Sequence, residues 1–555
     1  MQNNQIFDRN QLSLSLHNNE LSIQLNSADY SDILTFKKSR TGLTVPIIRK
    51  NSREYAIHSL FDPEREGRRI ADQVAGGGYV VVFGFGACYH IKPLLERDDI
   101  NGILLIDRDI NIIRSILSEI DLSDVLSDSR ISILIDKSEE EIRNYLPSNY
   151  IPAVTGDFQT LSLRPRVEFE KDYFSGITDS IRNVLDTLSD DYTVQTWFGK
   201  RWFTNSISNL AAAEKSTTVI RPQKSIMIAA AGPSLETQLD EICRNRNERF
   251  LISTDTALSC LMKNGITPDL VISIDCQQIT YHHFMNGYPE GVPLVADLAS
   301  PPAISRITEN TLFFTSGHPF SHYINRNWRK FPFVDTSGGN VTHAALSLAD
   351  RLGAREIFIY GADYSYPQGK TYARGTYVYP YFHCRADRMQ PAENGFYEFL
   401  YRNKNIKMTR TGYGYRYITK PMVSYKERLE RFANSVSARI IPADGMGERI
   451  RIPEQSKSVS SNSSVRLFAA GDFSEDWRSF LSSYRKRLQG LPSPSGSPAV
   501  YFSQLDFPEK DVWTTLFPVA AVLRKKYMKR GVSSAVILKE VRSWALDVLS
   551  LYLEN

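Results

Sequence analysis

A run of apolar residues, Ile226-Met-Ile-Ala-Ala-Ala231, stops at Gly232-Pro233-Ser234, and a helical pattern begins at Leu235-Glu236. Such a pattern is a buried strand feeding a tight loop and a helix N-terminus. Free backbone N–H groups and the positive end of the helix dipole converge there, which suits an anion such as a nucleotide phosphate. Three further apolar runs end in an acid: Phe250-Leu-Ile-Ser-Thr-Asp255, Pro268-Asp-Leu-Val-Ile-Ser-Ile-Asp275 and Pro293-Leu-Val-Ala-Asp297. A fourth, Thr311-Leu-Phe-Phe-Thr-Ser316, ends in a hydroxyl. Ligands of parallel sheets bind beyond the carboxyl ends of the strands. One acid in such a place caps the helix that follows. Three acids together with the loop at 232–234 imply one shared site.

Two more segments carry chemistry. Thr336-Ser-Gly-Gly-Asn340 precedes a helical pattern, and its small residues let the backbone approach a ligand closely. The apolar run Glu356-Ile-Phe-Ile-Tyr360 leads into Gly361-Ala-Asp363-Tyr364-Ser-Tyr366-Pro-Gln-Gly-Lys370-Thr-Tyr372, rich in phenols and followed by Arg374. A phenol can donate a hydrogen bond to a departing phosphate, and Lys370 or Arg374 could neutralise its charge; the alternative is a solvent-exposed aromatic loop. Of the nine histidines, His318 and His383 are candidates for a general base. A single histidine is more often a packing or surface residue. Pro319 argues against a helical His318/His322 pair, and with no HExxH string a metal site is not expected. Asp107-Arg-Asp109 spells DxD, a match too short to carry a metal site.

The elements that must position these groups follow from periodicity. Gly76-Gly-Gly78 is followed by an apolar strand, Tyr79-Val-Val-Val-Phe83, and then a Gly84-Phe-Gly86 turn. Next come a short helix at 91–97 and a strand ending in Asp107, the place of a ribose-binding acid in dinucleotide folds. The third glycine of GxGxxG is replaced by Tyr89, so this turn is either structural or a second ligand site. Residues 12–25 alternate apolar and polar and predict two short strands around His17–Glu20. Further strands are expected at 225–230, 250–254, 270–274, 293–296, 311–315, 356–360 and 437–441. The fold class expected is α/β. The domains expected are 1–165, β-rich and Rossmann-like; 166–215, a helical connector; 216–455, a central Rossmann-like α/β domain; and 465–555, helical, behind the Ser-rich linker 456–464.

Composition bounds the function. The chain has 555 residues, 42% hydrophobic and 23% charged, the balance of ordinary globular protein. A net charge of +4 gives no electrostatic case for nucleic acid. No apolar run approaches the roughly 18 residues of a membrane span, and the start of the chain does not read as a signal peptide. Five scattered cysteines without CxxC spacing point to a reducing compartment, the cytoplasm.

The motif series resembles the motility-associated-factor glycosyltransferases, which modify flagellin. That family is in turn similar to bacterial sialyltransferases that use CMP-activated sugars and to 6-hydroxymethylpterin diphosphokinases. The matching residues are Gly232-Pro-Ser-Leu235, Asp255-Thr-Ala-Leu258, Gly265-Ile-Thr-Pro-Asp269, Ser273-Ile-Asp275, Thr336-Ser-Gly-Gly339, the run from Leu352 to Asp363, and Lys370-Thr-Tyr-Ala373. His58-Ser-Leu-Phe-Asp-Pro-Glu-Arg-Glu66 and the GxG strand fit as well, so the likeness covers about residues 45–450. The resemblance implies that Gly232, Pro233, Ser234, Asp255, Asp275, Thr336, Ser337 and Gly338 hold the nucleotide. It implies that Tyr366 and Tyr372 assist departure of the phosphate. Ala231 stands where the sialyltransferases have asparagine, and Asp255 and Asp275 replace two more. The segment that would hold their catalytic histidine, Tyr415-Arg-Tyr-Ile-Thr419, contains none, so Asp363, His383 or another group would serve as the base.

The function expected is transfer of a nonulosonic acid from its CMP-sugar to serine or threonine hydroxyls of flagellin, needed for flagellar assembly and motility. No tightly bound cofactor or metal is expected, the CMP-sugar being the donor substrate. Flagellin is the expected partner, with self-association left open and neither nucleic-acid binding nor membrane insertion expected. The alternatives are a pterin diphosphokinase-like enzyme using ATP, or a flagellin-binding chaperone with an inactive nucleotide site.

Overall fold

The computed structural model describes residues 2–50, 53–216, 219–412, 414–452, 475–527 and 531–554. The expected Ser-rich linker at 456–464 lies outside them. The chain divides into two compact units: Met1–Gly199 with Arg487–Asp547, and Lys200–Lys486 with Val548–Asn555. The boundary falls inside one 45-residue helix, Lys171–Lys215, in the stretch expected to be a helical connector. The helices after residue 475 do not form a unit of their own, as the domain boundary at 465 anticipated, but are shared between the two. No helix among the described residues is long and apolar enough to cross a membrane.

In the first unit, an antiparallel sheet of β1 (Leu34–Lys38), β2 (Thr44–Lys50) and β3 (Arg53–Ala56) accompanies a parallel sheet. The parallel strands are β4 (Gly78–Phe83), β5 (Ile100–Asp107), β6 (Ile131–Ile135) and β7 (Phe158–Ser162), in the order β6-β5-β4-β7. Every residue of β4 is buried. Val80 and Val82 enter one core, and Tyr79, Val81 and Phe83 the other. A strand covered on both faces reads as a continuous apolar run, which is why β4 was legible.

The strands expected within 12–25 are helices instead, Gln2–Ser15 and Asn19–Ser27. Their buried residues are Phe7, Asn10, Leu14, Leu21, Ser22 and Leu25, at helical spacing, whereas Leu12 and Leu16 are exposed. Asn10 fixes the packing, donating to the Leu117 and Ile120 carbonyls and accepting from the Leu122 amide.

Two buried histidines make this unit sensitive to acid. Burial first, and neighbouring His58 second, pull His90 from 6.5 down to about 3. Burial lowers His58 as well. The unfolded chain therefore takes up protons before the folded one. Stability is fully present above the unfolded pKa of about 6.5 and is lost as pH falls toward the folded value, by about 1.4 kcal/mol per unit for each such group. The protein is expected to be about 2 kcal/mol less stable at pH 5 than at pH 7 on account of His90, with His90→Gln removing that part of the slope. Urea midpoints of both proteins at the two pH values check this; equal slopes would refute it.

The second unit is built on a parallel seven-stranded sheet. Its strands are β8 (Ser225–Ala229), β9 (Phe250–Thr254), β10 (Leu270–Ser273), β11 (Leu294–Asp297), β12 (Thr311–Phe314), β13 (Glu356–Tyr360) and, after the short antiparallel set β14 (Tyr366–Pro367), β15 (Lys407–Thr411) and β16 (Gly414–Ile418), β17 (Arg439–Pro442). The order is β12-β11-β10-β9-β8-β13-β17. Ile226 and Ile228 of β8 point into one core, Met227 and Ala229 into the other. The chain steps from β8 outward to β12, then returns to place β13 on the other side of β8. The order thus reverses between β8 and β13, and a crevice forms beyond the carboxyl ends of strands at such a point.

Candidate active site

The glycine turn of the first unit is filled by the chain itself. Asp107 is buried, accepts from the Phe85 amide at 2.8 Å and pairs with Arg166 at 2.6 Å. A Cβ on Gly86 would meet Leu163 and the His58 ring at 2.5 and 2.6 Å, and His58 Nε2 accepts from the Ala87 amide. Asp109 caps the helix Ile110–Glu119. The acids of the DxD string are thus engaged, Asp107 in a buried ion pair and Asp109 in a helix cap.

At the β8/β13 reversal the loops 230–234 and 361–363 lock together. Gly232 N–H donates to the Gly361 carbonyl at 2.8 Å, and Ser234 N–H donates to Asp363 Oδ2 at 2.8 Å. Gly361 has φ +66, and its missing Cβ makes room for the Ala230 carbonyl. Ser234 is buried, and its hydroxyl accepts from the Met446 amide at 2.7 Å. Pro233 is buried beside it. The loop amides expected to face an anion are thus partly held by protein groups, and Asp363 is a clamp on the loop. Burial pushes the Asp363 carboxyl up, and its bonds to Ser234 draw it back. Gly232 has no room for a side chain: a Cβ would lie 2.5 Å from both Asp363 Oδ2 and the Gly361 carbonyl. Gly232→Ala is expected to cost about 1–3 kcal/mol by overpacking, and to weaken nucleotide binding with it. Thermal unfolding and calorimetry check both; a variant as stable as the parent would mean that the clamp is slack.

The carboxylates gather beyond β9, β10 and β11. Asp255 is buried; its Oδ2 accepts from Ser273 Oγ at 2.7 Å and its Oδ1 from the Thr256 amide at 2.7 Å. Burial raises Asp275, with nearby Asp255 adding to the rise and the Gln277 amide opposing it. Asp297 is buried and raised for the same first reason; His318 Nε2 lies 3.9 Å from its Oδ2, and the His318 ring stacks on Trp202 at 4.1 Å.

Phenols come near this group. Ala373 N–H donates to the Ala231 carbonyl at 2.8 Å, tying the Tyr-rich segment to the β8 loop. Burial, then Tyr377 and Tyr366, push Tyr372 well above the ordinary phenol range, with Asp255 also in its field. Tyr377 is raised by burial and by Asp255, with Asp275 contributing. Burial likewise raises Tyr366, which lies on β14 beside Arg402 and Tyr425. These phenols stay protonated at neutral pH and act as hydrogen-bond donors. Lys370 pairs with Glu236 at 3.5 Å, and the Arg374 amide bonds to the same carboxylate.

Thr336, Ser337 and Gly338 form the turn before the helix Val341–Arg351. Ser337 is exposed, and its amide donates to Asp335 at 2.8 Å. Gly338 is packed against His343, where a Cβ would meet the ring at 2.2 Å. The following Gly339 abuts Tyr425, which brings the turn toward Tyr366. His383 stands apart: it is exposed at the end of the helix Val378–His383. In its place the structure brings in His283, whose Nε2 is 3.5 Å from Thr256 Oγ1 and whose ring meets Tyr377 at 4.6 Å. A cavity of about 530 Å³ beside it is lined by Gln278, Ile279, Tyr281, His282 and Ala303. Tyr377, His283 and Arg402 were not singled out from the sequence. The His282–His283 pair, in the segment that follows β10, was the one available signal.

Residues 200–369 match the family described as 6-hydroxymethylpterin diphosphokinase MptE-like. Along its whole length the chain superposes on the structure of a MAf glycosyltransferase from Magnetospirillum magneticum AMB-1, with a TM-score of 0.60 at 14% identity and 96% of that chain covered. Residues 200–369 are thus similar to the MptE-like family, and the whole chain shares the fold of that glycosyltransferase structure. Asp255, Asp275, Asp297 and Asp363 lie in the matched segment, as do the 232–234 loop, the 336–338 turn and Tyr366; Tyr372 and Tyr377 follow just beyond it. Uncharacterized proteins of Treponema pallidum (strain Nichols) are similar too. One is 35% identical over 153 residues, 27% of this chain and 54% of that protein. Another is 29% identical over 167 residues, 30% of this chain and 80% of that protein. A third is 28% identical over 217 residues, and the chain spans 38% of its length.

Proposed function

We propose that this protein is a glycosyltransferase that moves a nonulosonic acid from a CMP-sugar to serine or threonine hydroxyls of flagellin in the cytoplasm, before the flagellin is exported. The observation that carries the reading is the assembly of neutral phenols, Tyr372 and Tyr377, near Asp255 and Asp275 beside the β8/β13 reversal. Carboxylates accept from ribose hydroxyls and base amino groups, and protonated phenols donate to phosphate oxygens. The leaving group is a nucleoside monophosphate, so donors aimed at its phosphate stabilise charge as it develops. Tyr366 stands in the field of Tyr372. The acceptor oxygen attacks the anomeric carbon, its proton passes to a base, and CMP departs with the electron pair. The donor sugar serves as substrate, and the protein's own residues supply the rest. The fold shared with a MAf glycosyltransferase supports the reading.

A second reading has its own support. The MptE-like match is named for a diphosphokinase, and strand-end aspartates suit a cation-bound triphosphate. Calorimetry with CMP and with ATP plus magnesium separates the two. CMP binding without ATP binding supports glycosyl transfer, and the reverse supports diphosphate transfer. A protein that binds flagellin tightly and neither nucleotide would be a chaperone.

A further inference from the structure

His283 lies in the short helix Gln278–Phe284 that follows β10. The Thr256 hydroxyl donates to Asp255 Oδ1 at 3.1 Å, which commits its proton. Its oxygen, 3.5 Å from His283 Nε2, can then only accept from the ring. Asp255 is itself held by Ser273 Oγ and by the Thr256 amide, so the arrangement is anchored at both ends. The hydrogen-bond order therefore selects one tautomer, with the hydrogen on Nε2 and the lone pair on Nδ1. Nδ1 is buried and has no hydrogen-bond partner among the described residues. Buried acceptors are nearly always satisfied, and one left over at a ligand site marks where a donor arrives. The ring of Tyr377 stands edge-on beside it, at 84°.

We propose that His283 Nδ1 takes the proton of the acceptor hydroxyl. The inference rests on the glycosyl-transfer reading above. As the acceptor oxygen bonds to the anomeric carbon, its O–H proton moves to Nδ1. The bond from that carbon to the phosphate oxygen breaks, and the electron pair leaves with CMP. The imidazolium so formed is held through Nε2–H by Thr256, and the carboxylates of Asp255 and Asp275 balance its charge. Thr256 is a positioning residue in this scheme, since it acts through the ring. His318, paired with Asp297 and stacked on Trp202, is the competing candidate.

The test uses the full chain, a CMP-nonulosonic acid and flagellin, with transfer rates read by intact mass and CMP binding by calorimetry. His283→Gln can still donate to Thr256 but cannot take a proton; His283→Asn keeps an acceptor near Nδ1 with the same deficiency. Both are expected to bind CMP as the parent does and to lose about 100- to 10,000-fold in kcat, with little change in acceptor KM. Added imidazole is expected to restore part of the rate to His283→Ala. Near-parental kcat in His283→Gln, or loss of kcat in His318→Gln alone, would overturn the assignment of His283 and leave the transfer reading intact. A parent protein that neither binds CMP nor transfers sugar would overturn both.

Discussion

Tyr372→Phe protein is expected to transfer sugar about 100- to 1,000-fold more slowly than the parent, the loss typical of one donor that stabilises a developing anion. The change removes a single oxygen and keeps the ring. Packing against Phe399, at 6.0 Å between ring centroids, is retained, so the folded state is little disturbed. The loss should fall on kcat, because the phosphate acquires its extra charge only as the bond breaks. Asp275→Ala should weaken binding of the nucleotide as well as slow transfer, since its carboxylate also lies in the field of His283. Steady-state kinetics on the two proteins distinguish these outcomes. Parental rates in both would dismiss this site.

The second large effect is on stability. Asp107→Ala is expected to destabilise the first unit by about 3–5 kcal/mol, because it strands Arg166 as an uncompensated charge in the interior. Both side chains are buried, with 0% and 1% of their surfaces exposed, and they meet at 2.6 Å. Arg166 also bonds to Glu170, so part of the charge stays balanced and the lower end of the range applies if that carboxylate follows it. The Phe85 amide loses its acceptor as well, which loosens the Gly84–Gly86 turn. Urea unfolding measures the difference. A midpoint unchanged from the parent would show that Asp107 is held free for a ligand, as its position at a strand end first suggested.

Much of the second unit was legible because its strands are buried on both faces. β8, β9 and β13 read as largely apolar runs, and their observed limits fall within a residue of those expected. The polar residues at the strand ends, Asp255, Asp275 and Asp297, were legible for the same reason: they interrupt an apolar pattern where a parallel sheet opens. The N-terminal helices were not. Leu12, Leu14 and Leu16 alternate as a strand would, yet only Leu14 is buried; Phe7 lies about two turns before it in the same helix, and Leu21 belongs to the next helix. Nothing in the alternation shows which leucine meets the core. The site was half legible. Asp363 looked like chemistry because it follows a strand, but its carboxylate is spent on the Ser234 amide 129 residues upstream. His283 and Tyr377 meet across 94 positions, and Asp107 finds Arg166 across 59, pairings that only the folded chain brings about.

The most direct test of the account is the intact mass of flagellin from cells with and without this gene. Loss of discrete increments the size of a nonulosonic acid on deletion is the predicted result, with restoration by the parent gene and not by one encoding Tyr372→Phe. Flagellin of unchanged mass in the deletion strain would contradict glycosyl transfer to flagellin as the role of this protein.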